Sequence, residues 1–249
     1  MEVKRLLFVT DLRDVHASFE HMKRVKDLSG GGFDSIHCIL TAESAEWGKM
    51  TSSFDAECFK IVAGSLNPEV ILATVKKEGI TLIAVDLDWN SHESVLRKII
   101  SKVSVPLLLL NGAGGTGNIL DHVILAMDWT VPAERALAFA LKFRERIKVL
   151  DMIHVINEKL TVRNIRELRI RLGETRKVCL DVDIDAEFHI YAGKTGEELV
   201  TAAGDYRGTV IILGTGPERP VLKRLFSRTT VEQVAGSSPV PVFIIPGSQ

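Results

Sequence analysis

RLLFVTDL, residues 5–12, returns as HVILAMDW, residues 122–129. Each is an apolar run that closes on an aspartate, Asp11 in the first copy and Asp128 in the second. Four further segments recur downstream in the same order. SIHCIL (35–40) returns as DMIHVI (151–156), and KIVAGSLNPEVI (60–71) as HIYAGKTGEELV (189–200). TLIAVD (81–86) returns as TVIILG (209–214), and VPLLLL (105–110) as VPVFII (240–245). Self-similarity of this kind is the first thing to settle in a chain, because it fixes the unit that folds. The aspartates lie 117 positions apart and the Val-Pro pairs 135 apart, so the second copy is 18 residues longer. Of these, 12 fall between the aspartate and a central glycine (Gly64, Gly193) and 6 between that glycine and the final run.

Within each copy, short apolar runs alternate with helical patterns. Leu6–Thr10, Ile36–Leu40, Cys58–Val62, Leu82–Val85 and Val105–Leu110 read as strands. Several are apolar throughout, as expected of parallel strands covered on both faces. Val15, Phe19, Met22 and Val25 recur at helical spacing. Asn67-Pro68-Glu69 reads as a helix start, with Asn as N-cap and Pro in the first turn. In the second copy Thr195-Gly196-Glu197-Glu198 has the spacing of a capping box. Alternating strands and helices predict βαβ crossovers and a parallel sheet. The fold expected is α/β: two tandem five-stranded parallel-sheet sandwiches, residues 1–112 and 119–249, joined by the Gly-rich stretch Asn111–Asn118.

The 249 residues are 46% hydrophobic and 25% charged, with a formal net charge of -1. A balanced charge argues against a general nucleic-acid or membrane surface. Cys38, Cys58 and Cys179 have no metal-ligand spacing and make no even disulfide set, and are read as packing residues, Cys58 with less support. His16, His21, His37, His92, His122, His154 and His189 show no ligand spacing either, and His154 and His189 read as satisfied strand histidines. The start, MEVKRLLFVTDL, has charges where a signal peptide needs its apolar stretch, so a cytoplasmic protein is expected. Residues 158–178, the main insertion of the second copy, carry Arg166, Glu167, Arg169, Arg171 and Glu174 at helical spacing. They read as a solvated helix face, with a partner-binding arm as the alternative.

In an open α/β sheet, ligands sit beyond the carboxyl ends of the strands, where the strand order reverses. Asp128 and Gly214 fall at such ends. Gly214 and Gly216 would let backbone N–H groups approach a phosphate, Thr229 and Thr230 add hydroxyls, and Lys223 and Arg224 add positive charge. A lone Gly-x-Gly is weak evidence, since a strand-to-loop turn often needs glycine. In the first copy the fourth run ends in Asp86-Leu87-Asp88-Trp89. Those carboxylates would oppose phosphate, and as local structure they read as turn formers and helix caps. No nucleophile elbow, Walker lysine or dinucleotide fingerprint is present, so an enzyme is not expected.

Taken together, the repeated strand ending in Asp, the helix entry at Gly193–Glu198 and the closing block LKRLFSRTTVEQVAGSSPVPVFIIP resemble the universal stress protein family in a tandem form. The resemblance implies a Rossmann-like sandwich of the adenine nucleotide alpha hydrolase-like class and, in the second domain, a site for ATP or AMP. By similarity that site comprises Ala126, Met127, Asp128, Val155, Gly214, Gly216, Arg228, Thr229 and Thr230. It departs from the family's Gly-x2-Gly-x9-Gly-Ser/Thr pattern: the second glycine comes after one residue, and Arg228 stands in place of the last glycine. Trp129 follows Asp128 where the family has something smaller, and reads either as crowding the base or as a packing residue. The first domain reads as a degenerate copy. The resemblance further implies that Val105–Leu110 and Val240–Ile245 pair as a pseudo-dimer inside one chain, with a homodimer of whole chains as an alternative. The role expected is regulatory or protective; the competing expectation is a nucleotide-independent scaffold for a protein partner.

Overall fold

The computed structural model describes residues 3–29, 32–54, 57–63, 65–110, 117–157, 162–216 and 228–247. The chain divides into two compact units, Met1–Ile119 and Leu120–Gln249. The first unit runs β1 (Arg5–Thr10), α1 (Val15–Asp27), β2 (Ser35–Leu40), α2 (Ala45–Thr51) and β3 (Glu57–Val62). It continues with α3 (Pro68–Lys77), β4 (Leu82–Asp86), α4 (Trp89–Lys102) and β5 (Leu107–Leu109). The second unit has β6 (His122–Ala126), α5 (Val131–Ala140), a 3-10 turn (Leu141–Arg146), β7 (Val149–Ile156) and α6 (Val162–Leu180). It ends with β8 (Ala186–Ala192), α7 (Thr195–Asp205), β9 (Val210–Thr215), α8 (Arg228–Ser237) and β10 (Val242–Pro246).

Strand order is the same in both units. In the first it is β3-β2-β1-β4-β5 and in the second β8-β7-β6-β9-β10, all neighbours parallel. The expected α/β sandwiches are therefore present. The quoted repeats are aligned within the sheet at the first, fourth and fifth strands, but the third is one residue out of register and the second is two. Val9 faces Ile39 in the first unit, and its counterpart Ala126 faces Ile153 in the second. The repeat SIHCIL/DMIHVI matches Ile39 to Val155 instead, two positions further on.

Central strands are buried along their length, as continuously apolar runs require. Leu6 to Val9, Ile83, Ala84, Val123 to Ala126 and Val210 to Leu213 are all 0% exposed. In α1, Phe19, Met22 and Val25 are buried while Val15 is partly exposed. Trp47 of α2 is fully buried, stacked on Phe8 with ring centroids 5.9 Å apart. The edge strands β3 and β8 are half-exposed, with Phe59 and Ile190 at 46% and 49%. In α6, Leu168, Thr175 and Cys179 face inward and Arg166, Glu167, Arg169, Arg171 and Glu174 are exposed. Arg176 leaves the helix to pair with Asp185, 3.0 Å away. Among the described residues, no helix is long and apolar enough to cross a membrane.

Helix starts differ between the units. Asn67 caps α3 as expected, accepting from the Glu69 N–H at 2.8 Å with Pro68 in the first turn. Asp14, Ser44 and Asp88 cap α1, α2 and α4 in the same way. In the second unit, α5 and α7 have no side-chain cap. The expected capping box at Thr195 does not form. Thr195 already lies inside the helix and is buried, and Gly196 faces Gln233 of α8 so closely that a Cβ would come within 2.6 Å of its amide oxygen. The Thr-Gly pair serves helix packing rather than capping.

Gly214, near the end of β9, has a packing reason of its own. A Cβ there would run into the backbone of Pro132 and Ala133 in the first turn of α5. The closeness of strand and helix therefore demands glycine, whatever else the loop does. Gly214→Val is expected to destabilise the ligand-free protein by about 2 kcal/mol or more, a fall of roughly 4–8 °C in melting temperature. Melting equal to wild type would show that the α5 turn can back away.

Candidate functional site

In each unit the strand order reverses between the first strand and the fourth, β1/β4 and β6/β9. The crevice beyond their carboxyl ends is where this architecture places a ligand. Both copies leave the first strand by the same turn. Asp11 Oδ1 accepts from the Arg13 N–H at 3.2 Å, and Asp128 Oδ1 from the Thr130 N–H at 3.0 Å. The residues between, Leu12 and Trp129, both have φ of 55°, the left-handed region that costs a side-chain-bearing residue about 1 kcal/mol or more. Each aspartate thus spends one oxygen on holding its own loop.

In the first unit, the remaining groups at this crevice bind one another. Asp11 Oδ2 accepts from His92 Nε2 at 2.9 Å and from Arg13 Nε at 2.8 Å. Arg13 also reaches Asp88 at 3.7 Å. Asp88 caps α4, accepting from the Ser91 N–H and hydroxyl at 2.9 and 2.7 Å, and these bonds hold its carboxyl below the ordinary aspartate range. His92 departs from helical geometry inside α4 (φ -127°, ψ 20°), at the residue that bonds Asp11. Asp86 is not a cap, contrary to expectation. Its carboxylate accepts from Ser18 at 2.5 Å and His21 Nδ1 at 2.8 Å, tying β4 to α1. A strand-end aspartate can cap only the next helix in the chain; this one turns toward an earlier helix. Arg13 and His92 carry no sequence signal of their role, since neither sits in a recognisable motif.

The second unit is arranged differently. Ala126 and Met127 close β6 and are buried, and Asp128 and Thr130 are partly exposed. The Thr130 hydroxyl donates to Asp128 Oδ1 at 2.6 Å instead of capping α5. Gly214 is buried near the end of β9, with Thr215 and Gly216 partly exposed after it. Arg228 opens α8, followed by exposed Thr229 and half-exposed Thr230. Lys223 and Arg224 lie outside the described residues, as do the linker residues 111–116. Val155 is fully buried in β7, so its side chain belongs to the core.

Trp129 is held on three sides. Its Nε1 donates to Thr175 of α6 at 2.9 Å, its ring lies tilted against His154 at 4.9 Å, and the Arg171 guanidinium stands 5.9 Å over it. The packing reading of Trp129 therefore has direct support. His154 Nδ1 lies 2.8 Å from the Met127 carbonyl, and burial holds its imidazole below the ordinary histidine value despite that bond and nearby Asp128. Burial pushes the Cys38 thiol up to about 12 and the Cys179 thiol to about 11, and raises that of Cys58 as well, which disfavours the reactive thiolate.

Known proteins bear on this arrangement in two ways. The sequence model of the universal stress protein family matches residues 120–246, just over half of the chain. Among solved structures, a universal stress protein from Archaeoglobus fulgidus is similar over 99% of both chains, at 20% identity and a TM-score of 0.67. A putative universal stress protein from Pseudomonas aeruginosa is similar over 98% of this chain and 93% of its own, at 14% identity and a TM-score of 0.68. Likeness at these identities speaks to the fold. No curated protein gives a significant match. With a family match over the second unit and the same strand order in the first, the chain belongs to the universal stress protein family, in a tandem two-unit form.

Proposed function

We propose that the second unit binds an adenine nucleotide, ATP or AMP, beyond the ends of β6 and β9, and that the protein acts in regulation or protection rather than turnover. The contrast between the two strand-end crevices carries this reading. In the first unit, Asp11, Asp86 and Asp88 put three carboxylates there, and Arg13 and His92 are already engaged with them. In the second, the fourth strand closes on Gly214-Thr215-Gly216, which adds no charge. The helix starts support it as well. All four helices of the first unit have their N-terminal N–H groups capped by side chains. The N-caps of α5 and α7, Thr130 and Lys194, make no such bond, and the first turn of α5, directly after β6, would face an anion in the crevice. Asp128 would meet the ribose or base, and Thr229 and Thr230 the phosphates.

A nucleotide-independent scaffold is the second reading, and Trp129 favours it. The indole is fixed over the end of β6 by Thr175, His154 and Arg171, and Ala126, Met127 and Val155 are enclosed in the core. On this reading the inserted helix α6 has closed the base pocket, and the fold serves a protein partner.

Titration calorimetry of the full chain with ATP and with AMP separates the two. Nucleotide binding predicts modest affinity, weakened about tenfold or more by Asp128→Asn, the loss of one charged hydrogen bond, and also weakened by Thr229→Val. No heat with either nucleotide favours the scaffold; binding untouched by both substitutions places it elsewhere. The stoichiometry is a separate test. One nucleotide per chain is expected, and two would mean that the first unit's carboxylates do not exclude phosphate.

A further inference from the structure

The histidines of the second unit have no ligand spacing along the chain, yet three strands bring two of them to one carboxylate. Asp151 on β7 faces Glu187 on β8, His189 follows Glu187 by two, and His122 opens β6 two residues before Ile124, the partner of Asp151. With side chains alternating along each strand, all four share one face of the sheet. They lie toward the amino ends of the strands, away from the crevice at the carboxyl ends. His122 Nε2 is 2.6 Å from Asp151 Oδ2, and His189 Nε2 is 3.1 Å from Asp151 Oδ1 and 3.8 Å from Glu187 Oε2. The Asp151 side chain is 4% exposed, those of His122 and His189 19% and 18%, and that of Glu187 76%.

We propose that Asp151, His189 and Glu187 form a binding site for a divalent first-row transition metal, zinc being the probe. A buried carboxylate is normally matched by a cation or a metal. The ion-pair partners of Asp151 among the described residues are the two histidines. One ligand atom from each of Asp151, Glu187 and His189 lies within 4.8 Å of the others. A tetrahedral zinc ion with bonds of about 2.0–2.2 Å holds its ligands about 3.3 Å apart, so closing the set requires mainly a swing of the exposed Glu187. Two carboxylates balance the 2+ charge, and the imidazole selects a transition metal over magnesium or calcium. Both inner ligands already have outer partners. Asp151 Oδ2 keeps the His122 N–H, leaving Oδ1 for the ion. His189 Nδ1 lies 3.0 Å from the hydroxyl of Tyr206, whose ring also stacks on the imidazole at 4.1 Å. With the ion on Nε2, the imidazole carries its proton on Nδ1 and donates it to the Tyr206 oxygen, the usual arrangement behind a metal-bound histidine. In the first unit the register position of the Asp151–Glu187 pair is held by His37 and Phe59, stacked 4.8 Å apart, so the site belongs to the second copy.

The test is zinc titration of the chelator-stripped full-length protein, in competition with a chromophoric chelator. Wild type is expected to take one zinc per chain with a Kd below about 1 μM, to lose at least tenfold in affinity with Glu187→Gln, and to lose the tight site with His189→Asn. Glu187 is exposed enough that its substitution leaves the fold intact even where the His189 variant does not fold. No tight zinc in wild type, or a loss smaller than tenfold in Glu187→Gln, would overturn the site. Neither result depends on nucleotide binding at the other end of the strands.

Discussion

Each unit is organised by the turn that takes the chain out of its first strand. A parallel strand buried on both faces must be left abruptly, and here an aspartate folds its carboxylate back onto the N–H two residues on, while the residue between adopts a left-handed conformation. That conformation is unfavourable for Leu12 and Trp129, and the Asx bond offsets it. The turn fixes where the next helix begins, and so which face of the sheet it covers. Because the same strand lies beside the reversal of strand order, it also defines the crevice.

From that common start the copies separate at one position, the end of the fourth strand. Gly214 lets the first turn of α5 come down onto β9 through backbone contact alone. Asp86, at the corresponding place, bonds α1 through Ser18 and His21. The first solution is apolar and close; the second is polar and fills its own space. A carboxylate enclosed by hydroxyls and an imidazole is hard to remove, since truncating it leaves buried donors unsatisfied. The closed crevice of the first unit thus contributes to holding that unit together.

The architecture is legible because it is written twice. Apolar runs such as Leu6–Thr10 and Val210–Leu213 are ambiguous singly, but their recurrence in one order with helical patterns between them leaves few topologies. The helix start at Asn67 can be read because capping is local chemistry. The failures share a cause: they turn on what lies across the fold. Thr195-Gly196 has the pattern of a capping box, yet helix-on-helix packing at Gln233 decides its role. Asp86 looks like its neighbour Asp88, and only the placement of α1 distinguishes them. The second strand's repeat reads two residues out of register because apolar residues match at either setting, while Asp11 and Asp128 pin the first strand. Arg13 and His92, 79 positions apart in the chain, meet at one carboxylate that no spacing rule could connect.

Trp129 has an optical consequence. The chain has three tryptophans, of which Trp47 is sealed in the first unit's core. Trp129 is partly exposed and touches an imidazole, a guanidinium and the hydroxyl of the inserted helix at once. Indole emission shifts with the polarity around the ring and is quenched by a protonated imidazole in contact with it. Trp129 therefore serves as an intrinsic fluorophore at the mouth of the second unit, one whose colour follows the seating of α6 and whose intensity follows the charge on His154.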